Sequence, residues 1–261
     1  MKKLLHPFLF FVSMLILVSL ACSSLTGGSA PIKDTVIEDS PVPVIPTNPP
    51  PPTQKPADVP LPTATAVPPT VGPQKFFVEE FGTNSDQSNW VYYSLGSGSD
   101  SNLSIEPSDD GLLFDLGDEN LYVYYIYDVL KYNDTKLTLV AENQGVNNNN
   151  VSLVCRFNAD EGQWYEYSFE SGGVWYLYAY DGGYNVIDNG GSNDLKQGKA
   201  VNEYGMTCKD NVITMYINGK MLKSYTDRNY NFGEGQIGFN ISSLNVLPVI
   251  VNVQSFDIAE P

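Results

Sequence analysis

The sequence predicts an all-β domain of two stacked antiparallel sheets over residues 75–261, behind an export signal at 1–21 and a linker at 22–74. Three observations predict it. Short runs rich in Val, Ile, Tyr and Phe recur after Lys75, separated by Gly, Asn, Asp and Ser clusters. No segment of ten or more residues there combines helical periodicity with caps. The composition also changes sharply at that point: 15 of the 18 prolines precede Lys75, whereas all 17 tyrosines and all three tryptophans follow it.

At the N-terminus, Lys2 and Lys3 form a short positive region before the mostly apolar Leu4 to Ala21. This stretch is almost long enough to span a bilayer. Ser19-Leu20-Ala21-Cys22 follows directly, however, and resembles a bacterial lipoprotein signal, with Ser19 where Leu is usual. The resemblance implies cleavage before Cys22, acyl chains on that cysteine and a membrane-anchored, exported protein. Residues 23–74 are rich in Pro, Thr and small residues. Proline removes backbone donors and favours extended polyproline II, so this segment reads as a semi-rigid spacer of up to about 150 Å.

The 187 residues from 75 to 261 hold 26 Asp and Glu against 10 Lys and Arg, and carry the whole net charge of −16. That balance excludes nucleic acid as a partner, because phosphate binding needs basic side chains. It also excludes electrostatic docking of this block on anionic lipid. The runs, in order, are FFVEEF, GLLFDL, LYVYYIY, TKLTLVAE, VSLVCRF, WYEYSFE, VWYLYAY, VITMYIN, QIGFNIS and VIVNVQSFDI, and EYGMTCKD around Cys208 is a further β-like segment. Asn218-Gly219, between alternating segments, signals a two-residue hairpin. Alternation places Val151, Leu153, Cys155 and Phe157 on one face; Tyr165, Tyr167 and Phe169 share a core face, as do Tyr204, Met206 and Cys208. Outside the cytoplasm Cys155 and Cys208 are expected to pair, across strands or between sheets; two separate buried thiols are the alternative.

The ordered pieces Phe77 to Phe81, Trp90, Cys155-Arg156-Phe157, Trp164 to Phe169, Gly173 to Leu177, Gly198, Asn202, Cys208, Met215 to Gly219, Asp227, Gly235 to Phe239 and Phe256-Asp257 resemble the concanavalin A-like, laminin-G-like jelly rolls. More closely they resemble domains related to the 3-keto-disaccharide hydrolase domain family. The resemblance covers roughly residues 76–258 and implies a two-sheet jelly roll with a concave face, often carbohydrate-binding; it does not by itself imply catalysis.

The only histidine is His6, within the signal. Imidazole catalysis and His-ligated metal centres are thereby excluded from the processed chain. Retaining glucanases on this fold use a Glu-x-Asp-x-Glu strand, and no two acidic residues stand at i and i+2 here. Glu166 and Glu170 share a face but lie roughly 13 Å apart along a strand, against about 5–5.5 Å for a retaining pair. The expected function is therefore non-catalytic binding of a glycan or another extracellular ligand, with no catalytic residue. The alternatives are a glycoside or 3-keto-glycoside hydrolase and a protein-binding adhesive module.

Sugars offer apolar CH faces to aromatic rings and a rim of hydroxyls to polar atoms. With Trp175, Leu177 and Ala179 turned to the core, Tyr176, Tyr178 and Tyr180 form an outward ladder. Trp164 and Glu166 on the neighbouring strand flank it, and Tyr184 extends it past the turn. Tyr122 and Tyr124 are second candidates. Such tyrosines also serve as ordinary cross-strand pairs. No cofactor or metal is expected; Asp181, Asp188, Asn189 and Asp194 alone offer hard oxygen ligands for calcium, in residue types that also simply form turns.

Overall fold

The computed structural model describes residues 73–261. The expected signal at 1–21, His6, the expected acylation site Cys22 and the expected linker up to residue 72 lie outside the described residues. Fifteen strands account for the domain: β1 Phe77–Glu80, β2 Trp90–Gly96, β3 Leu103–Ser108, β4 Gly111–Leu116, β5 Leu121–Tyr132, β6 Thr135–Asn143, β7 Asn149–Asn158, β8 Gln163–Glu170, β9 Val174–Asp181, β10 Tyr184–Gly191, β11 Val201–Lys209, β12 Val212–Ile217, β13 Lys220–Thr226, β14 Gly235–Ser243 and β15 Val249–Ala259. The one helical piece among the described residues is a single 3₁₀ turn, Asp100–Asn102.

All pairings are antiparallel and divide into two sheets. Sheet A runs β13-β12-β11-β6-β15-β4-β3, with β1 added to β15; sheet B runs β10-β9-β8-β7-β14-β5-β2. Sequence neighbours lie in different sheets at several points, as in a jelly roll. The faces follow the alternation read from the sequence except at Phe157, which the irregularity after Cys155 turns away from the core to pack with Tyr124, Val154 and Trp164 on the other face of sheet B. Leu153, Cys155, Tyr165, Tyr167, Phe169, Leu177 and Ala179 of sheet B are buried against Leu137, Leu139, Met206, Cys208, Met215 and Phe256 of sheet A. Asn218 and Gly219 take φ of 49° and 74°, the double positive φ that a primed hairpin turn requires.

The cysteines pair as expected, and the bridge runs between the sheets, from β7 in sheet B to β11 in sheet A. Arg156, next to Cys155, also joins the sheets. Its guanidinium donates to the backbone oxygens of Asn133 (3.1 Å), Phe232 (3.0 Å) and Asp210, which belong to three different turns. Register shifts mark bulges between Cys155 and Asn158 on β7 and between Gly235 and Gly238 on β14. Bulges strengthen local twist and bend the sheet. The two central strands of sheet B bend at the same level, which deepens its outer, concave face.

Asp188 and Asn189, of residue types that often form turns, lie in strand β10, an edge of sheet B. Asp188 pairs with Lys223 at 3.0 Å, Asp194 pairs with Lys220, and Asp181 accepts from Gln163. These carboxylates are occupied singly, and no group of three or more His, Cys, Asp or Glu able to hold a metal ion occurs among the described residues.

Candidate functional site on the concave face of sheet B

Cross-strand register sets the side chains of this face in rows. One row holds Tyr124, Asn240, Ser152, Ser168 and Tyr176, from β5, β14, β7, β8 and β9 in turn. On one side lies the row Ile126, Gly238, Val154, Glu166, Tyr178 and Val186; on the other, Tyr122, Ser242, Asn150 and Glu170. Large rings therefore stand on the flanking strands, and small polar or aliphatic groups on the central two. At Gly238 a Cβ would meet the Tyr125 carbonyl oxygen at 2.2 Å, so no side chain fits there.

The two halves of the face are packed differently. Around Val154 it is apolar: Tyr124, Phe157 and Trp164 are buried together, and the Tyr180 ring stacks on Trp164 with centroids 3.8 Å apart and planes 5° apart. Around Ser168 a pocket of about 190 Å³ opens. Tyr122, Tyr178 and Tyr184 wall it; Asn150, Ser168, Ser242 and Glu166 form its polar lining. Tyr176 lies parallel to Tyr178, with centroids 5.4 Å apart, and continues the aromatic surface.

Glu166 is 3% exposed. Its Oε2 accepts from Tyr124 Oη at 2.7 Å and from Trp164 Nε1 at 3.3 Å. Burial pushes its carboxyl pKa above the ordinary value, and Tyr124, Ser152 and Trp164 as donors work against that rise. The Tyr124 hydroxyl also meets that of Tyr184. Burial, with the Glu166 charge second, raises the phenol pKa of Tyr124, Tyr178 and Tyr184. All three tyrosines thus keep their protons, as donors beside a carboxylate.

Two buried polar atoms in these rows lack a partner within the protein, Asn150 Oδ1 and Asn240 Nδ2, while Ser152 Oγ faces the Glu166 carboxylate. Buried polar groups in folded proteins are almost always satisfied by protein, water or ligand. Here Asn150 lines the pocket, and Asn240 stands buried in the next row. A larger cleft of about 570 Å³ lies between the edges β2 and β3, but Trp90, Val91, Leu103 and Ile105 make most of its lining apolar, and no carboxylate or unpaired buried atom faces it. The chemistry lies on the concave face.

Of the residues expected from the sequence, Glu166, Tyr178 and Tyr184 line the pocket and Tyr176 adjoins it. Trp164 is only 3% exposed and lies under Tyr180, so these two build the wall behind the pocket. Tyr122, a second candidate, is a wall; Tyr124 is buried and holds Glu166 and Tyr184 together. The polar floor was not foreseen. Asn150, Ser152, Ser168, Asn240 and Ser242 come from three strands, and only their register unites them.

No protein-family model matches the chain, and no curated protein matches it. Solved structures do share its fold. A native glycosidic hydrolase has a TM-score of 0.54 at 17% identity, covering 72% of this chain and 98% of its own. A Bacillus licheniformis beta-glucanase has a TM-score of 0.52 at 14% identity, covering 72% and 99%. A Bacteroides ovatus mixed linkage glucan protein of family GH16, solved with its product, has a TM-score of 0.53 at 9% identity, covering 70% and 99%. The domain is a concanavalin A-like jelly-roll sandwich, as the sequence resemblance implied.

Proposed function

We propose that the domain binds carbohydrate in the concave pocket of sheet B without cleaving it. The carrying observation is the pocket walled by Tyr122, Tyr178 and Tyr184 and lined by Asn150, Ser168, Ser242 and Glu166, where Asn150 Oδ1 has no partner within the protein. Sugar hydroxyls supply both donors and acceptors for such a floor, and the phenol rings cover the CH faces of a pyranose. The structural neighbours act on or hold glycans, which supports the same ligand class. A recessed site also suits a glycan better than a protein partner, which needs a broad flat patch. Glu166 is the one carboxylate lining the pocket, whereas glycoside hydrolysis uses a pair about 5–9.5 Å apart. The test is a glycan array followed by calorimetry. Tyr178→Ala is expected to weaken binding at least tenfold, about 1.4 kcal/mol; no glycan bound, or binding indifferent to this change, removes the reading.

One observation favours a second reading. Glu166, Ser168 and Glu170 share one face of β8 in the spacing of the Glu-x-Asp-x-Glu strand, with serine in the middle place. Release of reducing sugar that disappears in Glu166→Gln would establish a hydrolase. We further propose that Cys22 carries lipid and the proline-rich spacer holds the domain away from the membrane. Labelling with a fatty acid probe that is lost in Cys22→Ser checks this.

A further inference from the structure

The contact between Tyr184 and Tyr124 has a consequence for the shape of the ligand. Tyr184 is on β10 and Tyr124 on β5, five places apart in sheet B. In a flat sheet, five spacings of about 4.8 Å put the two strands ~24 Å apart, more than two phenol side chains can bridge. Their hydroxyls nevertheless meet, and the Tyr122 and Tyr184 ring centroids lie 6.2 Å apart. Sheet B is therefore rolled into a trough whose axis runs along the strands. β5 forms one wall and the β9–β10 hairpin the other, and the two touch over the floor of β14, β7 and β8.

One end of the trough is filled. Trp164 packs on Phe157 and Tyr124 with centroids 5.0 and 5.3 Å apart, and Tyr180 covers Trp164. The unpaired floor atoms lie on the other side of this plug, towards Asn150 and Ser242. A polymer lying along the trough would run into the plug; one lying across the strands would have to pass through a wall. The pocket also has a sign. Its lining contains the Glu166 carboxylate and neither Lys nor Arg, within a strongly acidic domain. Nothing there compensates an anionic sugar, and burying an uncompensated charge is costly.

We infer, resting on the glycan-binding reading above, that the pocket takes the terminal residue of a neutral glycan chain and not an internal segment. The experiment uses the full chain and four neutral polysaccharides, namely mixed-linkage β-glucan, xylan, mannan and levan, together with the polymer carrying the strongest array hit. Each is presented at equal mass, intact and after partial endo-cleavage, and binding capacity per gram is measured by calorimetry, with polygalacturonate as the acidic control. Capacity is expected to rise in proportion to the chain ends created, and polygalacturonate to stay unbound. Capacity unchanged by cleavage, with binding intact, overturns the inference while leaving glycan binding standing. Polygalacturonate binding as well as the neutral polymers overturns its charge selection. No binding to any polymer or array member removes both readings together.

Discussion

Removing the bridge between Cys155 and Cys208 should lower stability by about 4 kcal/mol. The bond closes a loop with a sequence separation of 53 residues. In the chain-entropy description a loop of that length restricts the unfolded chain by about 14 cal/mol/K, which is ~4 kcal/mol at 25 °C. Domains of this kind have a total of about 5–15 kcal/mol, so the loss is a large share of the whole. The two half-cystines are 0% and 1% exposed, so reductant should reach them only in the unfolded chain. Reduction is therefore carried out in denaturant, and the reduced protein is refolded under reducing conditions. Urea titration followed by tryptophan fluorescence compares it with the oxidised form, since Trp90, Trp164 and Trp175 are all buried. Reduction adds no large cavity, so it isolates the loop contribution better than Cys155→Ala with Cys208→Ala, which adds a packing loss. A difference below ~1 kcal/mol, or ready reduction of the folded protein, would refute the reasoning that the bridge works by restricting the unfolded chain.

Asp227 accepts from Tyr165 Oη and from the backbone N–H groups of Asn229, Tyr230 and Asn231; burial raises its pKa, and these donors together outweigh it and hold the carboxyl below the ordinary aspartate value. Asp227→Asn should cost about 1–3 kcal/mol in denaturant unfolding. Its stabilisation is complete above the ordinary aspartate value and is lost as pH falls through the lower folded-state value, so the deficit of the variant should shrink in strong acid. Gly238→Ala drives a methyl into the Tyr125 carbonyl and should lower the urea midpoint by the equivalent of about 2 kcal/mol or more, with a parallel loss of binding as β14 shifts from β5. Asn150→Ala should largely keep the melting temperature while weakening glycan binding, because Asn150 lines the pocket and its Oδ1 has no partner in the protein; a clear loss of stability would contradict this.

The sandwich was legible because its interior strands obey period two. Val151, Leu153 and Cys155, or Tyr165, Tyr167 and Phe169, announce both a strand and the face it buries. What escaped is the rim. β2, β3 and β10 are absent from the runs read from the sequence, and β13 figured only as the far arm of the Asn218-Gly219 hairpin; these are the four outer strands of the two sheets. Edge strands are under weaker demand for apolar alternation and carry residues that discourage further pairing. Pro107 in β3 and Lys220 and Lys223 in β13 are of that kind. The aromatic walls of the site were legible from Tyr176, Tyr178 and Tyr180 for the same reason as the core. Its floor was not, since a lone Ser or Asn has no period, and the contact of Tyr184 with Tyr124 depends on a curl that alternation does not encode.

That floor is difficult to explain as a device for stability. On β7 the concave face carries Val154 and Ser152 in successive inward places, and on β14 Gly238 and Asn240. Val154 packs in the apolar half without difficulty, so the sheet tolerates an aliphatic residue at this depth. The next row instead presents a hydroxyl and an amide and leaves Asn240 Nδ2 without a protein partner, as the row beyond leaves Asn150 Oδ1, at a cost of about 1–3 kcal/mol for each such group. Tyr124, which could have turned towards them, is committed to Glu166 and Tyr184, and Glu166 is taken up by Tyr124, Ser152 and Trp164. A sheet selected only to fold gains by filling this row, whereas a sheet selected to hold a hydroxyl-rich molecule must leave it unfilled. The direction of the Asn150→Ala result, stability kept and binding lost, separates these two cases.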